Sequence, residues 1–365
     1  MTNWRLRLLG ALWLVAACTN KEESHLVGPS VVAIDSTRLE ETDSIFLSFP
    51  TTVIAAPAVG IFVGDAASGK ILRYDAHGRL IRAYARKGRG PGEFTVPGAM
   101  ALVDDLQLAV ADWQTEEIQW LNLSNGIATR RLPTAGLPYT VIARNDTMFL
   151  GTLGRGSRRT SGGIIAHNVD SLSRFGRVPP EYGESPGVRT MHPYVSLALS
   201  GGHIVTGFTG SNILFDSMVG SGLRAFAVPS TRRRSMPNSR AMVARFSGPL
   251  SDSLVAGMGS TLIGAFGTGK DTLFLVHLDV VLSRQLLTAD AWVSVVDLAS
   301  DRGCVDTRIR TSKAGKPIFT VIGDTLIMLE QRLTSSNRPE TWVVRYRVDT
   351  KACDWLPLLS PDSAQ

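Results

Sequence analysis

Histidine and cysteine are scarce in this chain of 365 residues, which contains six histidines and three cysteines. No HExxH motif, no closely spaced pair of histidines and no dense acidic cluster occurs, so the usual signature of a zinc centre is missing. The sequence also lacks the Gly-x-Ser-x-Gly motif of a nucleophilic serine. Composition and motifs therefore exclude the most familiar metalloenzyme and hydrolase patterns.

Long amphipathic stretches rich in Lys, Glu and Ala are absent as well, which argues against a helical bundle. The 35 glycines and 18 prolines are spread over the whole chain and favour many short elements joined by turns. With 44% hydrophobic residues, the chain can still bury a large core. The composition thus favours an all-β protein.

The N-terminus is typical of an export signal. Arg5 and Arg7 form a basic region, and residues 8–17 form an apolar run that is too short to cross a bilayer as a mature helix. The run ends in Val15-Ala16-Ala17-Cys18, which resembles the lipobox of bacterial lipoproteins. This resemblance implies cleavage before Cys18 and attachment of diacylglycerol to its thiol. An ordinary secretory signal, with Cys18 incidental, is the alternative.

These features divide the chain into a signal peptide (1–17), a lipidated polar tether (18–30) and a single folded domain (31–365). Thr19 stands where lipoproteins kept in the inner membrane carry Asp, so the resemblance implies the outer membrane. Removal of residues 1–17 takes away two arginines and no acids, and the formal charge falls from +6 to +4. That mild excess says little about partners.

The two remaining cysteines, Cys304 and Cys353, are 49 residues apart and would meet an oxidising compartment after export. A disulfide requires Cα atoms within about 7 Å, and equivalent positions of neighbouring repeats often lie farther apart. The sequence therefore allows either a disulfide between these two cysteines or two buried free thiols.

A repeat is visible between residues 60 and 130. Three features recur at an offset of 47 positions, because Asp65, Ile71 and Tyr74 correspond to Asp112, Ile118 and Leu121. Each feature belongs to a short apolar or alternating run bounded by Gly, Asn or Asp, which is typical of a strand in a meander.

Fainter copies continue to the C-terminus, and the sets number six. Four-stranded units of about 45 residues predict a β-propeller with six blades. A seven-bladed ring or an irregular first blade is the alternative. We expect residues 31–34 or 45–47 to join the last blade as a strand and to close the ring, since closure removes exposed edges. The last set would take its fourth strand from residues 353–358.

The most informative run, residues 86–97, reads RKGRGPGEFTVP and joins the first two sets. Its residues resemble the NHL repeat, in which a Gly-rich turn leads to Gly-acid-Phe-x-x-Pro and then to a strand that ends in Asp. The matching residues are Gly88, Gly90, Gly92, Phe94 and Pro97. The resemblance implies a six-bladed propeller of the kind found among exported bacterial lipoproteins. We expect the run to join two blades, with Phe94 filling the seam between them.

Two basic groups are candidates for a binding rim, although such clusters are usually solvated surface. They are Arg86, Lys87 and Arg89 in the NHL-like run, and Arg232, Arg233 and Arg234 farther along the chain.

Three aspartates, Asp65, Asp112 and Asp216, follow predicted strands and are the candidates for a calcium site. An Asp at a strand end usually binds nearby backbone amides and fixes the turn, and we favour that interpretation. No metal or other cofactor is therefore expected, and no catalytic residue is assigned.

The sequence favours a binding or scaffold module for an envelope protein, peptide or glycan over an enzyme. The module would be a monomer, would be attached to the membrane through its lipid, and would not bind nucleic acid, since an exported protein rarely meets it. The alternative function is a calcium-dependent propeller enzyme of the lactonase or lyase kind.

Overall fold

The computed structural model describes residues 26–42, 45–134, 136–144, 147–154, 163–167, 171–179, 182, 194–218, 222–232, 259–282, 287–312 and 314–361. The signal segment and Cys18 lie outside these ranges, as do Arg233 and Arg234. Within the described residues, no helix is long and apolar enough to cross a membrane.

Strand β1 (Ser30–Arg38) opens the described chain, and the 47-residue repeat then forms two antiparallel sheets of the same strand order. The first sheet consists of β2 (Pro50–Ala56), β3 (Gly60–Asp65), β4 (Lys70–Tyr74) and β5 (Leu80–Tyr84). Two short parallel strands follow, β6 (Arg86–Lys87) and β7 (Glu93–Phe94). The second sheet consists of β8 (Pro97–Asp104), β9 (Gln107–Asp112), β10 (Glu117–Asn122) and β11 (Ala128–Pro133).

Four further sheets continue the pattern. The third contains β12 (Gly136–Arg144), β13 (Thr147–Gly154), β14 (Gly163–His167) and β15 (Ser171–Phe175). The fourth contains β16 (Val195–Ser200), β17 (His203–Phe208), β18 (Ile213–Met218) and β19 (Leu223–Ala227). The fifth begins with β20 (Thr261–Gly267), β21 (Thr272–Leu282), β22 (Leu287–Asp297) and β23 (Arg302–Ile309). The last is built from β24 (Ile318–Ile322), β25 (Thr325–Leu333) and β26 (Pro339–Asp349), while β27 (Trp355–Pro357) ends the chain.

The sheets are arranged in a ring around their first strands. Each of β2, β8, β12, β16, β20 and β24 contacts the first strands of the two neighbouring sheets, and β24 contacts β2. The hydrophobic core lies in the seams, since each of the five buried clusters combines side chains from two successive sheets. Radial sheets around a common axis define a β-propeller, as the sequence predicted.

The N-terminal strand closes the ring. β1 pairs antiparallel with β26, with Val31 opposite Val348 and Arg38 opposite Trp342. The last sheet therefore takes its outer strand from the beginning of the chain, which confirms the predicted role of residues 31–34. The other candidate segment, 45–47, makes only an isolated bridge between Ile45 and Thr42.

The C-terminal strand does not join the last sheet, so the assignment of residues 353–358 to that sheet was wrong. β27 pairs instead with β23 of the fifth sheet, with Trp355 opposite Cys304. Because β1 already covers the edge of β26, the chain end has no free edge there and covers the neighbouring sheet.

This arrangement also places the two cysteines together. Cys304 and Cys353 form a disulfide with their Cα atoms 5.7 Å apart. They do not occupy equivalent positions of neighbouring repeats, because Cys353 has crossed to the fifth sheet.

The sequence analysis did not predict four of the first strands, which are β2, β8, β12 and β16. β8 and β16 are buried at most positions, since they are enclosed by neighbouring first strands as well as by their own sheets. They are rich in small and hydroxyl residues and lack the alternation that marks a strand with one solvated face. Crowding near the propeller axis accounts for this composition.

The NHL-like run lies where it was expected, between the outer strand β5 and the first strand β8. Phe94 is fully buried and packs with Phe62 and Tyr84 of the first sheet and Leu108 of the second. The aromatic ring thus fills the seam between two sheets, as predicted. Gly92 has a φ of 72°, a region that favours glycine.

Candidate functional site

The first strands enclose a cavity of about 520 Å³ on the propeller axis. Its wall takes residues from all six of these strands and from the segments that lead into them. This volume falls within the range of roughly 300–1,000 Å³ that is typical of small-molecule sites.

Three aromatic residues on this wall form a single cluster, which we call the aromatic triad: Trp113, Tyr139 and Tyr194. The ring centroids of Tyr139 and Tyr194 are 5.0 Å apart in an edge-to-face arrangement. The Trp113 ring lies 5.6 Å from Tyr139 and 5.8 Å from Tyr194. Each side chain is half-buried, so the triad offers an apolar surface to the cavity.

Trp113 is fixed in place by its surroundings. Its indole N–H donates to the carbonyl of Pro138 at 3.0 Å, and its backbone N–H donates to the carbonyl of Val96. The indole also lies directly on Gly98, where any Cβ would fall 2.1 Å from the ring. A side chain at position 98 would therefore displace the indole.

Lys316 adds a positive charge next to the triad. Its ammonium nitrogen lies 4.5 Å from the centroid of the Tyr194 ring, within the range of a cation–π interaction. Desolvation by the surrounding protein lowers the pKa of the Lys316 ammonium group, while the side chain keeps an exposed surface. No carboxylate of the described residues forms an ion pair with it.

Among the described residues, the wall has one further charged side chain, Glu330, which has partners of its own. Its carboxylate accepts hydrogen bonds from the Ser312 amide and from the Arg332 guanidinium, both at 2.7 Å. The negative charge of Glu330 is thus balanced by Arg332, while the positive charge of Lys316 has no carboxylate partner among the described residues. The described part of the wall therefore favours anions.

Several hydroxyl groups on the wall join neighbouring sheets. Thr51 donates to the carbonyl of Pro97, and Thr140 donates to the carbonyl of Val195 at 2.7 Å. Ser196 accepts from the amide of Ala265 at 2.6 Å. These side chains link consecutive first strands, so their role is to hold the ring together.

The aspartates proposed from the repeat fix turns. Asp65 is fully buried and accepts from the amides of Phe49 and Ser68, and Asp112 accepts from the amides of Thr95 and Gln114. Each carboxylate ties the second strand of a sheet to the segment entering the first strand. Because the oxygens are occupied by N–H donors, these residues do not fit a calcium site.

Asp216 does not occupy the equivalent position, contrary to the prediction. It lies within β18, the third strand of its sheet, and its carboxylate is 2.9 Å from Nδ1 of His203 and 3.4 Å from Nη2 of Arg224. Among the described residues, no group of three or more His, Cys, Asp or Glu side chains is placed to hold a metal.

The first basic group of the predicted rim, Arg86, Lys87 and Arg89, does not line the cavity. Arg86 forms an ion pair with Glu93 at 2.6 Å, and Lys87 donates to the carbonyl of Ala67. The Gly90 amide and the Arg86 guanidinium hold the pKa of Glu93 below its usual value. Arg89 is exposed. The structure thus gives Arg86 and Lys87 local structural contacts.

Arg232 belongs to the second basic group and is also exposed. Its amide donates to Asp306 and its guanidinium to the carbonyl of Leu26. These contacts tie the segment to β23 and to the N-terminal end of the described chain.

Sequence reasoning did not find the aromatic triad or Lys316. The four residues come from four different inter-strand segments or strands between positions 113 and 316 and share no local motif. Lys316 ends a polar stretch, residues 311–316, that reads as an ordinary loop. Trp113 follows the predicted strand that ends in Asp112, but Tyr139 and Tyr194 belong to or precede first strands that were not predicted, so no sequence signal linked the three rings.

Fold and site together define a β-propeller with an aromatic, cationic cavity on its axis. No described protein family and no curated protein matches the chain. Solved structures similar to this chain include a Bacteroides vulgatus member of the DUF4221 family, with a TM-score of 0.63 and 11% identity over 88% of this chain and 99% of the other. They also include a Bacteroides fragilis protein described as exported, with a TM-score of 0.60 and 9% identity over 87% of this chain and 95% of the other. At such identities the likeness shows the fold.

Proposed function

We propose that this chain is an exported, lipid-anchored six-bladed β-propeller of the NHL type that binds a partner in the cell envelope. The partner would be an envelope protein, peptide or glycan, held at the cavity on the axis. The observation that carries the proposal is the half-buried aromatic triad beside Lys316. An apolar surface with one unbalanced charge suits recognition and does not provide a catalytic pair.

Six sheets with four or five strands each, and a closed circle of first strands, support the number of blades. The NHL type is supported by residues 86–97, which join two sheets as that repeat requires. Export is supported by the signal segment and agrees with the description of the similar Bacteroides fragilis protein. The calcium-dependent enzyme is less well supported, because Asp65 and Asp112, two of its candidate ligands, accept hydrogen bonds from backbone amides.

The lipid anchor can be tested by replacing Cys18. We expect Cys18→Ser to move the protein from the membrane fraction to the soluble fraction, because the acylated thiol is the attachment point. Cell fractionation followed by immunoblotting measures this, with Ser24→Ala, a change in the same polar tether that keeps the thiol, as the control. A Cys18→Ser protein that stays in the membrane fraction would eliminate the anchor from the proposal.

The binding site can be tested with envelope peptides and glycans that raise the melting temperature of the protein. For any such ligand, we expect Tyr194→Leu to weaken binding at least about tenfold, since a central aromatic anchor typically contributes more than 1.4 kcal/mol. Isothermal titration calorimetry measures the affinity. The control is Phe46→Leu, which removes an exposed ring that does not line the cavity.

Equal affinity of the wild-type and Tyr194→Leu proteins would place the site elsewhere and reject the cavity as the binding site. Near-ultraviolet circular dichroism of each variant verifies that the fold is retained.

A further inference from the structure

We propose that the ligand of this cavity carries a carboxylate beside an aromatic ring, with the carboxylate bound by Lys316 and the ring by the aromatic triad. This inference rests on the proposed binding function and specifies the chemistry of the ligand. It follows from three observations: the charge of the wall, the shape of its apolar surface and the volume enclosed.

The charge of the wall calls for an anion. In the part of the wall that the structure describes, the charged residues are Lys316 and Glu330, and Glu330 is already paired with Arg332. The Lys316 ammonium carries three N–H donors, and its contact with the Tyr194 ring face leaves donors free for a ligand. A carboxylate would supply the missing counter-charge, and a charge-assisted hydrogen bond in a partly desolvated site is among the stronger polar contacts.

The apolar surface calls for a ring. The triad residues are inclined to one another by 57° to 66° instead of being stacked in parallel, so the triad presents both ring faces and ring edges at the cavity wall. Aromatic rings prefer such tilted neighbours at centroid distances of about 4.5–7 Å. The Tyr194 ring borders both the ammonium group and the other two rings, so the ligand's ring and carboxylate must be close together.

The enclosed volume limits the size of the ligand. About 520 Å³ accommodates a small molecule or the end of a peptide, but not a folded domain. Two kinds of ligand carry a carboxylate beside an aromatic ring at this size. One is a free aromatic acid, and the other is a peptide that ends in an aromatic residue with a free C-terminal carboxylate.

The lowered pKa of Lys316 supports the inference through linkage. Burial disfavours the ammonium form, and a bound carboxylate stabilises it again, so binding is coupled to proton uptake above the lowered pKa. We therefore expect the affinity for carboxylates to fall as pH rises through that pKa, at a lower pH than for a lysine with the usual pKa.

The test is calorimetric titration of the purified protein with phenylacetate, phenylacetamide and phenethylamine, and with the peptide Gly-Gly-Phe as the free acid and as the amide. We expect an acid to bind at least about tenfold more tightly than its amide. Lys316→Met should abolish this preference while the weak binding of the amide persists, and Lys316→Arg should keep it. The matched control, Lys351→Met, removes an exposed lysine in the turn before β27 and should leave both affinities within about twofold.

If phenylacetate binds, the ligand can be a free aromatic acid. If only the peptide acid binds, the ligand is the C-terminus of a peptide. Both results support the inference. Equal affinities for acid and amide, tighter binding of the amine, or an unchanged preference in Lys316→Met would overturn it. If none of the probes binds while another envelope ligand still depends on Tyr194, the inference fails and the proposed function stands. If none of the probes binds and the affinity of the other envelope ligand is unchanged in Tyr194→Leu, both the inference and the proposed cavity site are rejected.

Discussion

We expect the Phe94→Ala protein to lose about 3–5 kcal/mol of its free energy of unfolding, which is typical for removal of a fully buried phenylalanine. The Phe94 ring is completely enclosed and belongs to the cluster shared by the first and second sheets. Neither sheet can close the resulting void alone, because both are held at fixed distance by their neighbours in the ring. The midpoint of urea denaturation, followed by circular dichroism, measures the loss.

The control is Phe46→Ala, since the Phe46 side chain is 54% exposed. We expect this change to stay within about 0.5 kcal/mol. A similar loss for the two variants would mean that Phe94 is not a special element of the seam, and the NHL-like run would then have no demonstrated structural role.

The second large effect is expected from the disulfide. Cys304 and Cys353 are 49 residues apart and enclose the whole run from β24 to β26. Loss of the bond releases a loop of this length in the unfolded chain, which corresponds to about 4 kcal/mol on the chain-entropy account. We therefore expect Cys304→Ser/Cys353→Ser to lower the melting temperature of the protein markedly, as measured by differential scanning calorimetry.

The bond also secures both ends of the described chain. The Val27 amide donates to the Asp354 carboxylate at 2.7 Å and the Asp354 amide donates back to the Val27 carbonyl at 2.9 Å, next to the disulfide. Reduction of the wild-type protein should reproduce the loss, and the double variant should not respond to reductant. A wild-type melting temperature that is indifferent to complete reduction would contradict this prediction.

The repeat and its joining segment were predictable because their causes are local. The 47-residue offset reflects turns fixed by Asp65 and Asp112, and each of these carboxylates bonds to residues that sequence spacing already brings close. Phe94 could be assigned to a seam because it is the single large apolar residue in a run of glycines and charges.

The closing strand was predicted from a general requirement, whereas the last strand was not. Any ring must cover its edges, so an extended N-terminal segment was a good candidate for closure. Which edge remained for residues 353–358 depended on β1 having taken the edge of β26. The two chain segments compete for the same sheet edge, and the local sequence of neither segment shows which of them will occupy it.

By itself, the sequence determined the all-β class, the repeat and the joining of the first two blades, because each depends on composition or on contacts close along the chain. It also predicted a closing strand near the N-terminus, but the tertiary structure decided that β1, and not residues 45–47, pairs with β26. Only the tertiary structure decided that Cys353 meets Cys304 and that Trp113, Tyr139, Tyr194 and Lys316 surround one cavity. The four cavity residues come from separate parts of the ring, and they come together only because the first strands converge on its axis. The two cysteines meet because β27 pairs with β23.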